Sequence, residues 1–275
     1  MARQTARSGS LCVTNRREIS SVRQAIGTER AQLSTDDRSL SATGRAGSSA
    51  APLLTGAGKL ANLALRWQGD SQMKATFELE AIEIELHGGP VAGVDETGRG
   101  PLAGPVVAAA VVLDPRRIPE GMANSRWLSN AARRALHEAI LATAHIGIGV
   151  AEVDRIDSEN ILNATLWAMA QALARLPSPP KLALIDGNKA PRLDCRARTI
   201  MRGDSKCLSI AAASIVAKAT RDAIMVSLAR QYPDYGFERH KGYGTREHHA
   251  AIAMYGVTPQ HRRSFRPVQL ALGLA

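Results

Sequence analysis

The 275-residue chain predicts an α/β fold, a mixed β-sheet flanked by helices with a helical C-terminal portion. Three observations carry this. Short apolar runs that read as buried strands alternate with stretches whose apolar residues recur at helical spacing. Two of the runs flank a Gly/Pro-rich turn, as in a hairpin. The later part holds one long Ala-rich helical pattern, Leu208 to Tyr232.

Residues 1 to about 70 are rich in Ser, Thr, Arg, Ala and Gly, with polar clusters such as Ser8-Gly9-Ser10 and Gly47-Ser48-Ser49. They predict a low-complexity, disordered extension. With 10 Lys+Arg against 5 acids, it could add nonspecific contact with nucleic acid, act as a targeting segment, or be an unselected extension from a start codon set too early. Residues 71–90 form a lead-in in which Phe77 to Glu83 reads as a short helix, ending at the breaker Gly88-Gly89-Pro90. The main domain, 91–275, follows. Val91 to Val94 and Val106 to Leu113 read as the strands of an antiparallel hairpin. Ser129 to Ala144 has helical patterning (Ala132, Leu136, Ile140, Ala144), Ile146 to Val153 is strand-like, and Ile161 to Leu176 is helical again. After the loop Pro177-Ser178-Pro179-Pro180 comes a buried strand, Leu182 to Ile185, ending at Asp186.

The formal charge is +10 and the pI near 10.1, which favours a polyanionic partner or simply solubility. The excess is uneven: residues 91–180 carry 8 Lys+Arg against 9 acids, whereas 181–266 carry 16 against 7. A basic face beside an acidic cluster suits a nuclease. The odd set of Cys12, Cys195 and Cys207 lacks CxxC or Cys/His spacing, which argues against a disulfide framework or a zinc site and for a reducing cytoplasm. No apolar run approaches the roughly 18 residues of a membrane span, so the expectation is a soluble protein off the membrane.

Asp95 and Glu96 end the first strand and are followed by Thr97-Gly98-Arg99-Gly100-Pro101. Adjacent strand residues point to opposite faces, so for both to serve one site the strand is expected to end there. Asp186 closes a second strand, and Asp204, in Arg202-Gly203-Asp204-Ser205-Lys206, precedes the long helix. Any one of these acids alone is more often a cap or turn residue. Four at strand and helix ends are harder to explain so, because converging carboxylates repel unless cations neutralise them. Mg²⁺ or Mn²⁺ accepts oxygen ligands, and a pair roughly 3.5–4 Å apart can stabilise both oxygens of an in-line phosphodiester displacement. A glycosidase using paired carboxylates is the enzymatic rival, but aromatics are only 4% of the chain, too few for a sugar-stacking cleft. The turn Gly98-x-Gly100-x-x-x-Gly104 matches neither a dinucleotide fingerprint nor a P-loop, so no small-molecule cofactor is expected.

From Val91 to Val268 the chain resembles ribonuclease HII, the type 2 ribonuclease H. The resemblance rests on Gly93-Val94-Asp95-Glu96-Thr97-Gly98-Arg99-Gly100-Pro101-Leu102-Ala103-Gly104-Pro105, on Leu184-Ile185-Asp186-Gly187-Asn188, on Gly203-Asp204-Ser205-Lys206, on Ser209 to Lys218 with Arg221-Asp222, and on His240-Lys241-Gly242-Tyr243-Gly244-Thr245. It implies a ribonuclease H-like fold and an RNA–DNA hybrid endoribonuclease in which Asp95, Glu96, Asp186 and Asp204 are the catalytic, metal-binding acids. It further implies cleavage 5′ of ribonucleotides, including single ones embedded in duplex DNA, giving 3′-hydroxyl and 5′-phosphate ends and starting ribonucleotide removal. Gly98, Arg99 and Gly100 match the family's 2′-hydroxyl-sensing motif, where glycines let backbone groups approach a sugar, and Tyr243 matches the tyrosine that packs on the following deoxyribose. Ser125, Arg126 and Lys206 join them as substrate-binding candidates. Lys206, Lys218, Arg221, Lys241, Arg262 and Arg263 are candidates for phosphate contact. The expected state is a monomer acting on RNA–DNA hybrids and ribonucleotide-containing duplex DNA. His240, His248, His249 and His261 are the alternative ligand set for a metal, disfavoured against the oxygen-rich one.

Two neighbouring readings stay open: ribonuclease HIII, from which Asp204 and the low-complexity N-terminus point away, and a non-catalytic nucleic-acid-binding protein on the same fold. The latter is prompted by one departure. Where the family usually has Asp-Ser-Lys before a Leu, this chain reads Asn124-Ser125-Arg126-Trp127-Leu128. Loss of the carboxylate and exchange of Lys for Arg are expected to weaken substrate affinity while activity remains. The double change Asn124→Asp with Arg126→Lys should therefore tighten binding in a steady-state cleavage assay; unaltered turnover and affinity would show the departure to be silent.

Overall fold

The structure, a computed structural model, describes residues 56–69, 74–123 and 129–274. Eight helices and five strands run in the order α1 (Gly56–Gly69), α2 (Glu78–His87), β1 (Val91–Thr97), β2 (Val106–Leu113), α3 (Asn130–Thr143), β3 (Ala144–Ala151), α4 (Val153–Ala174), β4 (Leu182–Asp186), β5 (Arg196–Ile200), α5 (Leu208–Gln231), α6 (Phe237–His240), α7 (Arg246–Tyr255) and α8 (Arg266–Ala271) among the described residues. The strands form one mixed sheet in the order β3-β2-β1-β4-β5. β2 pairs antiparallel with β1 and β3, while β4 lies parallel to both β1 and β5.

Alternation along β2 sets the two layers. Val106, Ala108 and Ala110 face α4 with Ala92, Val94, Ala183 and Ile185; Val107, Ala109 and Val111 face α3 and α5 with Ile140, Ala213 and Val216. Strands buried on both faces read as continuous apolar runs, which is why β2 and β4 stand out in the sequence. The small residues have a steric reason. A Cβ on Gly93 would lie 2.2–2.5 Å from the backbone of Ser209 and Ile210, so α5 rests directly on β1 just before its acids.

Several elements depart from expectation. Residues 56–69, expected within a disordered stretch, form α1, which buries Leu63 beside Leu79 and Ile82 of α2 and pairs Lys59 with Glu85 and Arg66 with Glu78, each at 2.7 Å. Ala144 opens β3 instead of closing α3. The helix expected from Ile161 begins earlier, at Val153, and is kinked at Asn160 (φ 70°), whose Oδ1 accepts from the amides of Leu162 and Asn163 and so caps the second half. β5 was not anticipated. Its sequence, Arg-Ala-Arg-Thr-Ile, is charged because it is an edge strand with most residues in solvent.

No helix among the described residues is long and apolar enough to cross a membrane. Cys195 is half-buried and Cys207 buried, both as free thiols.

Gly93→Ala should destabilise the protein by more than about 3 kcal/mol in urea unfolding, since the added methyl has backbone and not a flexible side chain in its way. A loss below about 1 kcal/mol would mean that α5 does not sit on β1 as described.

Candidate active site

β1 carries Asp95 and Glu96, but contrary to expectation it does not end there. Pairing with β2 continues through Asp95↔Ala109 and Glu96↔Ala108 to Thr97↔Val107. Asp95 therefore lies on the α5 side of the sheet and Glu96 on the α4 side. They meet at one end of the sheet because the parallel register Val94↔Ile185 sets Asp95 beside Asp186 on the adjacent strand. Asp186 Oδ1 accepts from the Gly203 amide at 2.6 Å, which draws in the 3₁₀ turn Gly203–Ser205 and with it Asp204. β1 and β4 thus bring Asp95, Glu96 and Asp186 together, and the turn that carries Asp204 is held to Asp186.

The electrostatics are those of crowded negative charge. Asp95 is only 6% exposed. Burial, then the charges of Asp186 and Glu96, push its carboxyl well above the usual carboxylate range, against hydrogen bonds from the Ser214 hydroxyl and the Glu96 amide (2.7 Å). Burial also raises Glu96, opposed by the Arg99 guanidinium 3.3 Å away and reinforced by Asp186. Among the described residues no three His, Cys, Asp or Glu side chains stand as a ready metal-ligand set. The donor chemistry nonetheless fits a hard divalent cation: all-oxygen, anionic, and destabilised by mutual repulsion that such a charge would relieve.

The loop after β1 is held by two buried arginines. Arg262 donates from Nε and Nη2 to the Gly104 carbonyl (3.0 and 2.7 Å), from Nη2 to Gly98 (2.5 Å) and from Nη1 to Arg99 (2.9 Å). Arg221 donates to the carbonyls of Pro105, Lys241 and Ala103 at 2.9, 3.0 and 3.2 Å. Both were expected as phosphate contacts; they are instead buried and committed to backbone. The signal for Arg221 lay in its position on the buried stripe Ala217, Arg221, Met225, Leu228 of α5, a face that points inward. Gly98, at φ +93°, has no room for a Cβ, which would stand 2.2 Å from Arg221 Nε. Gly100 is open and has only Tyr243 beside it, with Cε1 3.7 Å from a Cβ built there. The structure thus sets exposed Gly100 beside exposed Tyr243, with Arg99 exposed next to Gly100 and Gly98 buried behind them against Arg221.

Of the other expected cations, Lys218 pairs with Asp222 (2.9 Å), Lys241 Nζ donates to the Glu238 carbonyl (2.6 Å), and Lys206 caps the Asp204 turn through its amide to the Gly203 carbonyl (2.8 Å). Arg263 is exposed, with its amide held by Asp157 at 2.9 Å. Asn124, Ser125 and Arg126 lie outside the described residues. Sequence reasoning missed Ser214 on Asp95, Asp157 as the anchor of residues 263–264, and the fate of the histidines. His248 and His261 are buried against each other, Nε2 to Nε2 at 3.0 Å, with His240 stacked on His248 at 4.5 Å.

Burial lowers both His248 and His261 to about 4, helped at His248 by His240 and His249 and at His261 by His248 and His240. Below the ordinary value of 6.5 the unfolded chain takes up protons that these rings refuse in the folded state. Stability is therefore full above 6.5 and falls as the pH drops toward about 4, by on the order of 3 kcal/mol per ring and less than twice that together, because they share one hydrogen bond. Urea midpoints should fall steeply across that window; a flat profile would contradict neutral, buried rings.

The family model described as Ribonuclease HII matches residues 92–268. The chain is 56% identical over 180 residues to ribonuclease HII of Xanthobacter autotrophicus, covering 66% of this chain and 72% of that protein. In structure it is similar to ribonuclease H2 of Pyrococcus horikoshii, with TM-score 0.57 and 25% identity over 66% of this chain and 96% of that one. It shares its fold with Bst ribonuclease HIII, whose structure is a complex with Mn²⁺, at TM-score 0.57 and 21% identity over 67% of this chain and 70% of that one. With the family model covering more than half of its length and relatives at or above 50% identity, the chain belongs to the ribonuclease HII family of ribonuclease H endoribonucleases.

Proposed function

We propose that this chain hydrolyses the RNA strand of RNA–DNA hybrids and cuts 5′ of ribonucleotides embedded in duplex DNA, leaving 3′-hydroxyl and 5′-phosphate ends and so initiating ribonucleotide removal. The observation that supports the reading is the placement of Asp95 beside Asp186 on adjacent parallel strands, with Glu96 next to Asp95 and the Asp204 turn held to Asp186 by the Gly203 amide. Asp95, Glu96, Asp186 and Asp204 would hold two Mg²⁺ or Mn²⁺ ions. Such ions, when bound, supply Lewis-acid stabilisation of the attacking and leaving oxygens in an in-line displacement.

The remaining work falls to the chain's own groups. Ser214 and the Glu96 amide orient the Asp95 carboxylate, and the Gly203 amide orients Asp186. Gly98, Arg99 and Gly100 present backbone to a ribose 2′-hydroxyl; the Arg99 and Gly98 carbonyls are turned inward by Arg262, which leaves the other side of the loop for the sugar. Tyr243, 49% exposed beside Gly100, packs on the neighbouring deoxyribose. Lys206, Ser125 and Arg126 contact the duplex backbone, which positions it without reading sequence. The protein acts as a monomer in a reducing cytoplasm, consistent with its free thiols.

The test is cleavage of a labelled DNA duplex holding one ribonucleotide, with Mg²⁺ or Mn²⁺, by wild type, Asp95→Asn and Asp204→Asn. The variants should lose at least about a hundredfold in turnover. Asp95→Asn should at the same time raise the urea midpoint of the metal-free protein, since it removes a buried repelling charge. No cut by the wild type, or equal cutting by the variants, would sink the reading.

A further inference from the structure

Tyr243 is exposed, so apolar packing does little to set its position; its backbone is held instead. The Tyr243 carbonyl accepts from His248 Nδ1 at 2.9 Å and from the Thr245 amide at 2.8 Å. A carbonyl only accepts, so His248 carries its proton on Nδ1 and its Nε2 is bare. His261 Nδ1 accepts the Thr258 amide N–H at 2.9 Å, so the His261 proton is on Nε2, which faces His248 Nε2 at 3.0 Å. This tautomer assignment follows from the network, because any other places two protons or two lone pairs head to head. The result is a one-way chain: Thr258 N–H to His261, His261 Nε2–H to His248, His248 Nδ1–H to the Tyr243 carbonyl.

Its far end is rooted in the segment that clamps the other wall of the surface. His261 bridges to Ala103, the Gln260 carbonyl accepts from the Gly104 amide at 2.8 Å, and Arg262 donates its amide to the Leu102 carbonyl at 2.8 Å and its guanidinium to Gly98 and Arg99. The groups facing the pair are His240 and His249, the rings of Phe237 and Tyr235, and Arg262 next in sequence. No carboxylate shares a hydrogen bond with either ring among the described residues.

We propose that His248 and His261 are positioning residues for Tyr243: their hydrogen-bond chain fixes the height of the tyrosine over the Gly98–Gly100 loop and so sets how tightly the enzyme grips the ribonucleotide junction. The inference rests on the reading of Tyr243 as the deoxyribose contact. Substrate binding then depends on two buried residues that never touch nucleic acid.

The experiment is steady-state cleavage of the single-ribonucleotide duplex by wild type, His261→Phe, His261→Gln, Tyr243→Ala and the double variant His261→Phe/Tyr243→Ala, below the lowest unfolding temperature of the set. His261→Phe keeps the ring shape and removes the donor; His261→Gln returns an N–H near the Nε2 position. His261→Phe should raise KM about fivefold or more with kcat within about twofold, His261→Gln should recover most of that, and His261→Phe should cost nothing further once Tyr243 is Ala. If His261→Phe fails to fold, His248→Asn, which keeps a donor for the Tyr243 carbonyl, should raise KM less than His248→Leu, which does not. An equal penalty with and without Tyr243, a Gln variant as impaired as Phe, or equal effects of Asn and Leu would overturn the inference while wild-type cutting stands. No cutting by the wild type would sink the cleavage reading itself, and this inference with it.

Discussion

The loop at the catalytic end of the sheet depends on two buried guanidinium groups that, among the described residues, hydrogen-bond to backbone carbonyls and form no salt bridge. Arg221 reaches up from α5 and Arg262 across from the segment before α8, and between them they satisfy carbonyls at residues 98, 99, 103, 104, 105 and 241. Moving such a charge out of water costs several kcal/mol, and the cost shows in Arg262, where burial and the charge of Arg221 lower the guanidinium to about 9. Charge-assisted bonds to carbonyl oxygens offset that cost. A loop without secondary structure is thereby held from within by donors whose planar forks fit the crossing backbone, a task for which lysine has neither the geometry nor the number of protons.

The carboxylates make the opposite compromise. Asp95 sits at the acidic end of a mostly apolar, buried strand, beside Asp186 and with Glu96 next in sequence. The folded chain carries repulsion that a purely structural core would have removed. Stability is surrendered at the place where chemistry needs concentrated negative charge, and restored by the alanine-rich packing of α5 and α4 on the two sides of β1 and β2.

Much of this was legible in the residues. β1, β2 and β4 are apolar on both faces and announce themselves, the stripe of α5 is long enough to be unambiguous, and the acids stand late in β1, at the end of β4 and in the turn before α5. What escaped did so for physical reasons. β5 is an edge strand whose arginines face water, so its pattern looks like a loop. α1 lies in a stretch whose low-complexity composition reads as disordered, and it is stabilised by α2 and two ion pairs. Asp95 and Glu96 serve one end of the sheet although β1 runs on past them, because the neighbouring strand decides which acids meet. Arg221, Arg262 and the histidines carry charges or protons that in sequence read as surface or metal chemistry; only burial assigns them to the interior.

The order in which the strands lie has a consequence for how the enzyme comes into being. β1, β2 and β3 form a local meander, but β1's other neighbour is Leu182 to Asp186, so Val91 pairs with a residue 91 positions later. Closing a loop of that span is slow compared with hairpin formation. A chain emerging from the ribosome can zip the meander early, yet Asp95 does not meet Asp186 until β4 docks, nor the loop its clamps until α5 and residue 262 are made. The acid-bearing end is thus the last part of the sheet that a growing chain completes.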